Sequence, residues 1–331
     1  MTATGRLRAP TAEDADALRE LAEETFVASL ALPDRADADR DHVREELRQV
    51  FSADAFADMD GRILHRDGQL AAAVVWTDGR HPLTGHQERV LDHVLARPSA
   101  LAELRRVLVA VVADASIDGL DAVRAEVDAA GDTGRADVLA ALGFVDHYFI
   151  TRRAIRATAP DPACRASDNS HRSFAVRCLT DAVVAGLATG PFVPQNVDRR
   201  AVEDFVSTRL VLGDGGTALS YVATADEGDP AAHADVRLQP ARHGGGTEAL
   251  LNDVYVLPEA RGRGWAQRLT GHVESELHAR GVCRMEGTVV LQHGVTPSGL
   301  VERLSAAGWW IDRRSMVLPV TPPASVGGSG L

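Results

Sequence analysis

Two hydrophobic periodicities alternate along the chain, and they do so twice in the same order. After a short strand at Arg6–Ala9, Thr11 is placed to cap the amphipathic helix AEDADALRELAEETF. ILHRDGQLAAAVVW then reads as two strands around Asp67-Gly68, and RVLDHVLA as another that runs to Pro98 and a long helix. The strand AVRAEV, a short helix and the step Gly143-Phe144 close the first series. The second series starts with SFAVRCL as a strand and Thr180 as the cap of DAVVAGLA. TRLVLGDGGTALSYVATA follows as two strands around Asp214-Gly215-Gly216, then ALLNDVYVL, Pro258 and a long helix. RMEGTVVL, a short helix and Gly308-Trp309 end it. Even the closing strands share letters, Ile150-Thr151-Arg152-Arg153 and Ile311-Asp312-Arg313-Arg314.

This order predicts a tandem duplication of one α+β domain; the alternative is two unrelated α/β domains whose short patterns coincide. A length of 331 residues suits two domains of about 150 each. The expected boundaries are a first domain at 1–155, a linker at 156–172 (RATAPDPACRASDNSHR), a second domain at 173–320 and a flexible Pro/Gly/Ser-rich tail at 321–331.

Composition narrows the function. The formal charge is −12, and all 35 basic residues are arginine, because the sequence contains no lysine. An acidic chain with scattered arginines and few aromatics is a poor nucleic-acid binder. Cys164, Cys178 and Cys283 have neither metal nor disulfide spacing. No secretion signal and no apolar run of about 18 residues is visible, so a cytoplasmic protein without membrane contact is expected. His81 and His86 lack a third ligand, and no metal site is expected.

The stretch VYVLPEARGRGWAQRLT (254–270) carries the clearest chemistry. A strand that ends at a proline and turns through glycines into a helix builds an anion site from first-turn N–H groups and the helix dipole. Gly262 and Gly264 leave room for a pyrophosphate, and Arg261 and Arg263 add charge. A dinucleotide fingerprint would need a third glycine and a later acidic residue, and a P-loop would need Gly-Lys-Ser/Thr; neither is present.

At these residues the chain resembles the GNAT superfamily of acyl-CoA-dependent N-acetyltransferases, through V-x-V-x-P-x-x-R-G-x-G-x-A at Val254 to Ala266. Its two linked domains also resemble the tandem acetyltransferases of actinobacteria, such as mycothiol synthase and the tandem protein of the clavulanic acid cluster. The resemblance implies two GNAT-like domains, each a mixed, mostly antiparallel twisted sheet flanked by helices. It implies that the turn Arg261, Gly262, Arg263, Gly264, Trp265 and Ala266 holds the pyrophosphate of acetyl-CoA. It further implies that the preceding strand parts from its neighbour at a bulge, where main chain near Val254, Tyr255 and Val256 pairs with pantetheine and the Val254 amide polarises the thioester. Family members often place a carboxylate on that strand, and the candidates are Asp253 and Glu248; strict alternation puts Glu248, Asn252 and Val254 on one face and Asp253 and Tyr255 on the other. His293 is a further candidate, as a proton relay beyond RMEGTVVL. The family's frequent tyrosine acid is replaced by Leu304.

In the first half, aligning Pro98 with Pro258 puts Leu101, Ala102 and Leu104 at the positions of Arg261, Gly262 and Gly264. That half is expected to be degenerate, helping to shape an acceptor pocket. The charged segment 194–206 is a candidate lid. The implied activity is acetyl transfer from acetyl-CoA to the amine of a small molecule, in specialised metabolism or resistance, by a monomer or weak homodimer. The rival readings are a non-catalytic CoA-binding protein and another acyl-CoA reaction, such as malonyl-type decarboxylation.

Overall fold

The computed structural model describes residues 6–29, 40–52, 59–129, 133–189, 197–213, 215–225, 228–241, 246–291 and 297–320. Contacts divide the chain into two compact units, one of residues up to Phe149 together with those from Asp312, the other Ile150–Ile311. Both boundaries fall inside the strands that close the two halves of the sequence.

The first unit runs β1 (Leu7–Arg8), α1 (Ala15–Ser29), α2 (Arg40–Val50), β2 (Asp60–Arg66), β3 (Gln69–Arg80), β4 (Gln87–Ala96), α3 (Leu101–Ile117), β5 (Ala122–Asp128), α4 (Thr133–Ala141) and β6 (Val145–Ala154). Thr11 opens the helical segment as expected: Asp14 accepts from its N–H (2.8 Å) and takes both Nη atoms of Arg8. Asp67 (φ 54°) and Gly68 (φ 81°) make the β2–β3 hairpin turn, where both central residues must be left-handed. Leu104, Val107, Leu108 and Val111 of α3 are fully buried at helical spacing against the sheet.

The second unit contains β7 (Cys164–Ala166), α5 (Arg172–Thr189), α6 (Arg199–Arg209), β8 (Ala218–Thr224), β9 (Pro230–Pro240), β10 (Thr247–Val256), α7 (Trp265–Ala279), β11 (Arg284–Val290) and α8 (Pro297–Ala306); β12 is Trp310–Pro319. Its sheet order is β7-β8-β9-β10-β11-β6, and that of the first unit is β1-β2-β3-β4-β5-β12. In each, the fourth and fifth strands are parallel (β4 with β5, β10 with β11), while the other registered pairs are antiparallel. These are the mixed, mostly antiparallel sheets expected.

Four local expectations change. SFAVRCL is helix: Asp168, upstream of it, caps by accepting from the Ser170 N–H (2.8 Å), and Thr180 lies buried inside α5. A short apolar run does not itself distinguish strand from helix. TRLVLG is not a strand, since α6 runs to Arg209 and the hairpin is β8–β9. The segment 156–172 holds β7, which pairs with β8 (Cys164 with Ala223), and Asp161 binds Arg268 through both oxygens (2.8 and 2.9 Å). Its prolines and serines concealed an edge strand.

The closing strands are exchanged. Asp312–Pro319 of β12 belongs to the first unit, with Ser315 opposite Glu126, and Ile150–Ala154 of β6 belongs to the second. There Thr151 donates to the Gly287 carbonyl (2.9 Å), and Arg152, 2 % exposed, binds Glu286 through Nε and Nη2 (3.1 and 2.9 Å), with Glu248 at 3.6 Å. Removing the cation would strand two buried carboxylates. Arg152→Ala is therefore expected to lose about 3–5 kcal/mol in urea unfolding; a loss below about 1 kcal/mol would mean that water reaches the cluster.

Candidate active site

Strand β10 pairs with β9 along its length, but the register shifts between Leu251 (opposite Val236) and Asp253 (opposite Asp235), so Asn252 is an extra residue. Pairing with β11 covers only Ala249–Leu251 against Met285–Gly287. The strands part where the bulge sits, as the resemblance implied. The bulge also reverses the expected faces. Directly opposed residues share a face, so Glu248, Leu250, Asp253 and Tyr255 lie together, with Ala249, Leu251, Val254 and Val256 on the other side. Strict alternation had grouped Glu248 with Val254 because it counted through Asn252.

After Val256 the chain makes a 3-10 turn, Pro258–Ala260, then passes through Gly262 (φ 78°) and Gly264 (φ 77°) into α7. The first bond of α7 runs from the Arg268 N–H to the Gly264 carbonyl (3.0 Å), so the N–H groups of Trp265, Ala266 and Gln267 have no intrahelical acceptor. A Cβ built on Gly262 or Gly264 meets nothing within 4 Å. Backbone sign, not crowding, demands these glycines, and the space before them is open. Arg261 donates to the Val256 carbonyl (3.2 Å) and lies over the Tyr255 ring; Arg263 is exposed. Trp265 turns its indole into the core under the Arg268 guanidinium, so its main chain alone faces the turn.

A groove of about 940 Å³ runs among α7, α8, β10, β11 and the end of β6. Ala266, Gln267 and Thr270 form one wall, Leu304 and Trp309 another, and Leu251 and Val254 the floor. Leu304 thus stands inside the groove and offers no hydroxyl. Arg153, Arg156 and Arg303 also line it. None was visible as a site residue in the sequence, because the first two fall beside the first half's closing strand.

Asp253 reaches this groove. Burial pushes its carboxyl up to about 7, Asp235 adds to the rise and the Val254 N–H, donating to it, opposes it. The amide assigned to the thioester therefore also serves the carboxylate. Oδ2 of Asp253 is buried without a hydrogen-bond partner. Asp235 is likewise raised by burial and accepts from Asn252 Nδ2 (2.7 Å). Glu248, 2 % exposed, is committed to Gln239 (3.0 Å) and Arg152, so it holds structure around the strand. Tyr255 donates to Asp181 (3.4 Å) on α5. His293 lies outside the described residues, as does part of the segment 194–206.

The first unit keeps the same bulge. Leu91 opposes Trp76 and His93 opposes Val75, leaving Asp92 extra, and parallel pairing of β4 with β5 ends at Leu91–Ala125. After Pro98–Ala100, however, α3 starts directly at Leu101 with no left-handed turn, and Leu104 is fully buried. Leu101 packs on Gly134 of α4, where an added Cβ would stand 2.7 Å from its methyl. Arg135 of α4 donates to the Val94 carbonyl (2.6 Å) and to Asp128 (3.3 Å), across the gap where β4 leaves β5. The carbonyl of Val94, the residue matching Val254, is thus taken by a guanidinium.

Residues 198–294 match the family model described as Acetyltransferase (GNAT) family. Among solved structures, a GCN5-related N-acetyltransferase from Sphaerobacter thermophilus aligns over 96% of both chains at 16% identity, with a TM-score of 0.54. A GCN5-related glucosamine N-acetyltransferase region of a fungal multi-domain GH3 β-N-acetylglucosaminidase aligns over 96% of this chain and 38% of its own, at 13% identity and a TM-score of 0.56. A tandem GNAT protein from the clavulanic acid biosynthesis pathway covers 96% and 99%, at 15% identity and a TM-score of 0.49. A search of curated proteins finds none that matches. The second unit is thus similar to the GNAT family over residues 198–294, and the fold of nearly the whole chain is GNAT-like. Among the described residues no helix is long and apolar enough to cross a membrane.

Asp253 weighs on stability in a defined direction. Its folded pKa exceeds the unfolded one, so its contribution is full below about pH 4, falls as pH rises to about 7 and is flat above. Asp253→Asn should equal the wild type near pH 4 and exceed it by roughly 1–3 kcal/mol at pH 8 in urea unfolding. An unchanged difference across that range would mean an ordinary surface carboxylate.

Proposed function

We propose that this chain transfers the acetyl group of acetyl-CoA to the amine of a small molecule, with the second unit holding the donor and the first unit holding none. The observation that carries this reading is the meeting, at one bulge, of a near-neutral carboxyl whose Oδ2 has no hydrogen-bond partner with a groove that leads to a left-handed glycine turn. The turn's open N–H groups suit a pyrophosphate, and the apolar floor of Leu251 and Val254 suits pantetheine. Leu101 and Arg135 occupy the corresponding places in the first unit.

Where β11 leaves β10, the groove reaches Asp253, whose side chain shares the face of Tyr255. Donor and amine would therefore meet from opposite sides of the strand. Asp253 takes a proton from the arriving ammonium, the neutral nitrogen attacks the thioester carbonyl, and the C–S bond breaks to release thiolate while the nitrogen gives its second proton to solvent and becomes the amide. With Leu304 in the groove, the thiolate takes its proton from solvent. The setting is that of a cytoplasmic monomer or weak dimer in specialised metabolism or resistance. The missing hydroxyl favours a second reading, a CoA-binding protein without turnover.

Activity against an amine panel, read as thiol release, separates the two. For the enzyme, kcat/KM should rise with pH to a plateau above about 7, as Asp253 gives up its proton. Asp253→Asn should lower kcat by about 10²–10⁴-fold and flatten that limb. Tight binding with no release from any amine would support the second reading. Native mass spectrometry should show one acetyl-CoA per chain, lost in Gly264→Asp, which sets bulk and like charge at the phosphate turn. Two cofactors per chain would place a donor in the first unit as well.

A further inference from the structure

The glycine turn accounts for the pyrophosphate, yet the groove carries more positive charge than that ligand part needs. Three arginines line it: Arg153 at the end of β6, Arg156 just beyond and Arg303 of α8. Arg153 is neutralised, since it pairs with the buried Glu274 of α7 and lies over Trp309 (5.3 Å). Among the described residues neither Arg156 nor Arg303 makes a close ion pair, although Arg156 lies near enough to Glu274 to favour its charged form and the chain as a whole carries a net charge of −12. The other acid in the lining, Asp253, is raised to about 7 and lies at the bulge.

Arg156 and Arg303 are both exposed and line the groove near the C-terminal end of α8. A Cβ on Gly308, just past α8, would stand 3.1 Å from Arg156 Nη2, and Arg303 is on the last turn of α8. Thr158 holds the Arg156 segment in place by donating to the Gly271 carbonyl of α7 (2.8 Å), while Ser275 donates to the Thr158 carbonyl (3.0 Å). The segment is therefore fixed along α7, and its arginine is presented to the groove. A guanidinium pair of this kind is suited to a phosphate dianion, which accepts from both forks.

We propose that Arg156 and Arg303 form a subsite for the ribose 3′-phosphate of the acyl-CoA donor. This rests on the donor reading above, because coenzyme A has only two anionic parts and the glycine turn serves the other. The subsite draws on residues just beyond the first half's closing strand. A second half expressed from residue 173 would lack Arg156 altogether.

The test is equilibrium binding of coenzyme A and of 3′-dephospho-coenzyme A to the full chain, at low and moderate salt. The wild type should prefer coenzyme A by about tenfold or more, with the preference shrinking as salt rises. Arg156→Ala with Arg303→Ala should bring the two ligands to equal affinity while leaving that for the dephospho form unchanged, which also shows that the fold and the turn survive. Arg156→Lys should keep part of the preference. Equal wild-type affinity for both ligands would overturn the subsite and leave the donor reading standing. Binding of neither ligand would overturn the donor reading and the subsite with it.

Discussion

One extra residue in β10 organises the second unit. Asn252 has no partner on β9, so the strand twists and every later side chain changes face. That change puts Asp253 and Tyr255 on the same side as Glu248 and Leu250, where Asp253 faces Asp235 across the strands. It coincides with the end of pairing to β11, so main chain that would otherwise be used by the sheet borders a groove. The carboxyl is consequently close to an opening but poorly hydrated, the condition that pushes its pKa towards neutrality. Gap, face and proton affinity follow from the same insertion.

The first unit shows which of these properties the sheet supplies and which the turn adds. Asp92 makes an equivalent bulge, and β4 leaves β5 at the equivalent register. Without glycines after Pro98, the helix starts a turn sooner, its leucines reach α4 and the core, and Arg135 bridges the parted strands. A parted pair of strands has unused carbonyls, and something must satisfy them. In the first unit a side chain does so permanently. A bulged sheet is therefore compatible with either a groove or a plug, and the left-handed turn decides between them.

What was legible in the sequence was local. Val254 to Ala266 announces strand, proline, left-handed turn and helix because each residue constrains its own backbone, and the structure has all four. Misreadings came where the outcome depends on a partner. Alternation gave the wrong face to Glu248 and Asp253 because a bulge is a relation between two strands. SFAVRCL was assigned as strand because its cap, Asp168, lies upstream in what read as linker. The exchange of β6 and β12 was hidden by their likeness, since Ile-Thr-Arg-Arg and Ile-Asp-Arg-Arg fit either sheet edge equally well. Arg153 and Arg156 escape notice for that reason.

The exchange also explains why two buried ionic clusters can coexist with a site that costs stability. Arg152 gives Glu248 and Glu286 a cation from a distant part of the sequence, and Arg153 does the same for Glu274. Of these acids Glu274 lines the groove, and burial holds its carboxyl above the usual range while Arg153 opposes the rise. Asp253 is left uncompensated beside them: its Oδ2 has no partner, and the nearest charged neighbour across the strand is another acid. Of the two acids that line the groove, Glu274 has a guanidinium beside it and Asp253 has none. That difference is the physical reason the proposed reaction gives the proton-accepting role to Asp253 rather than to Glu274.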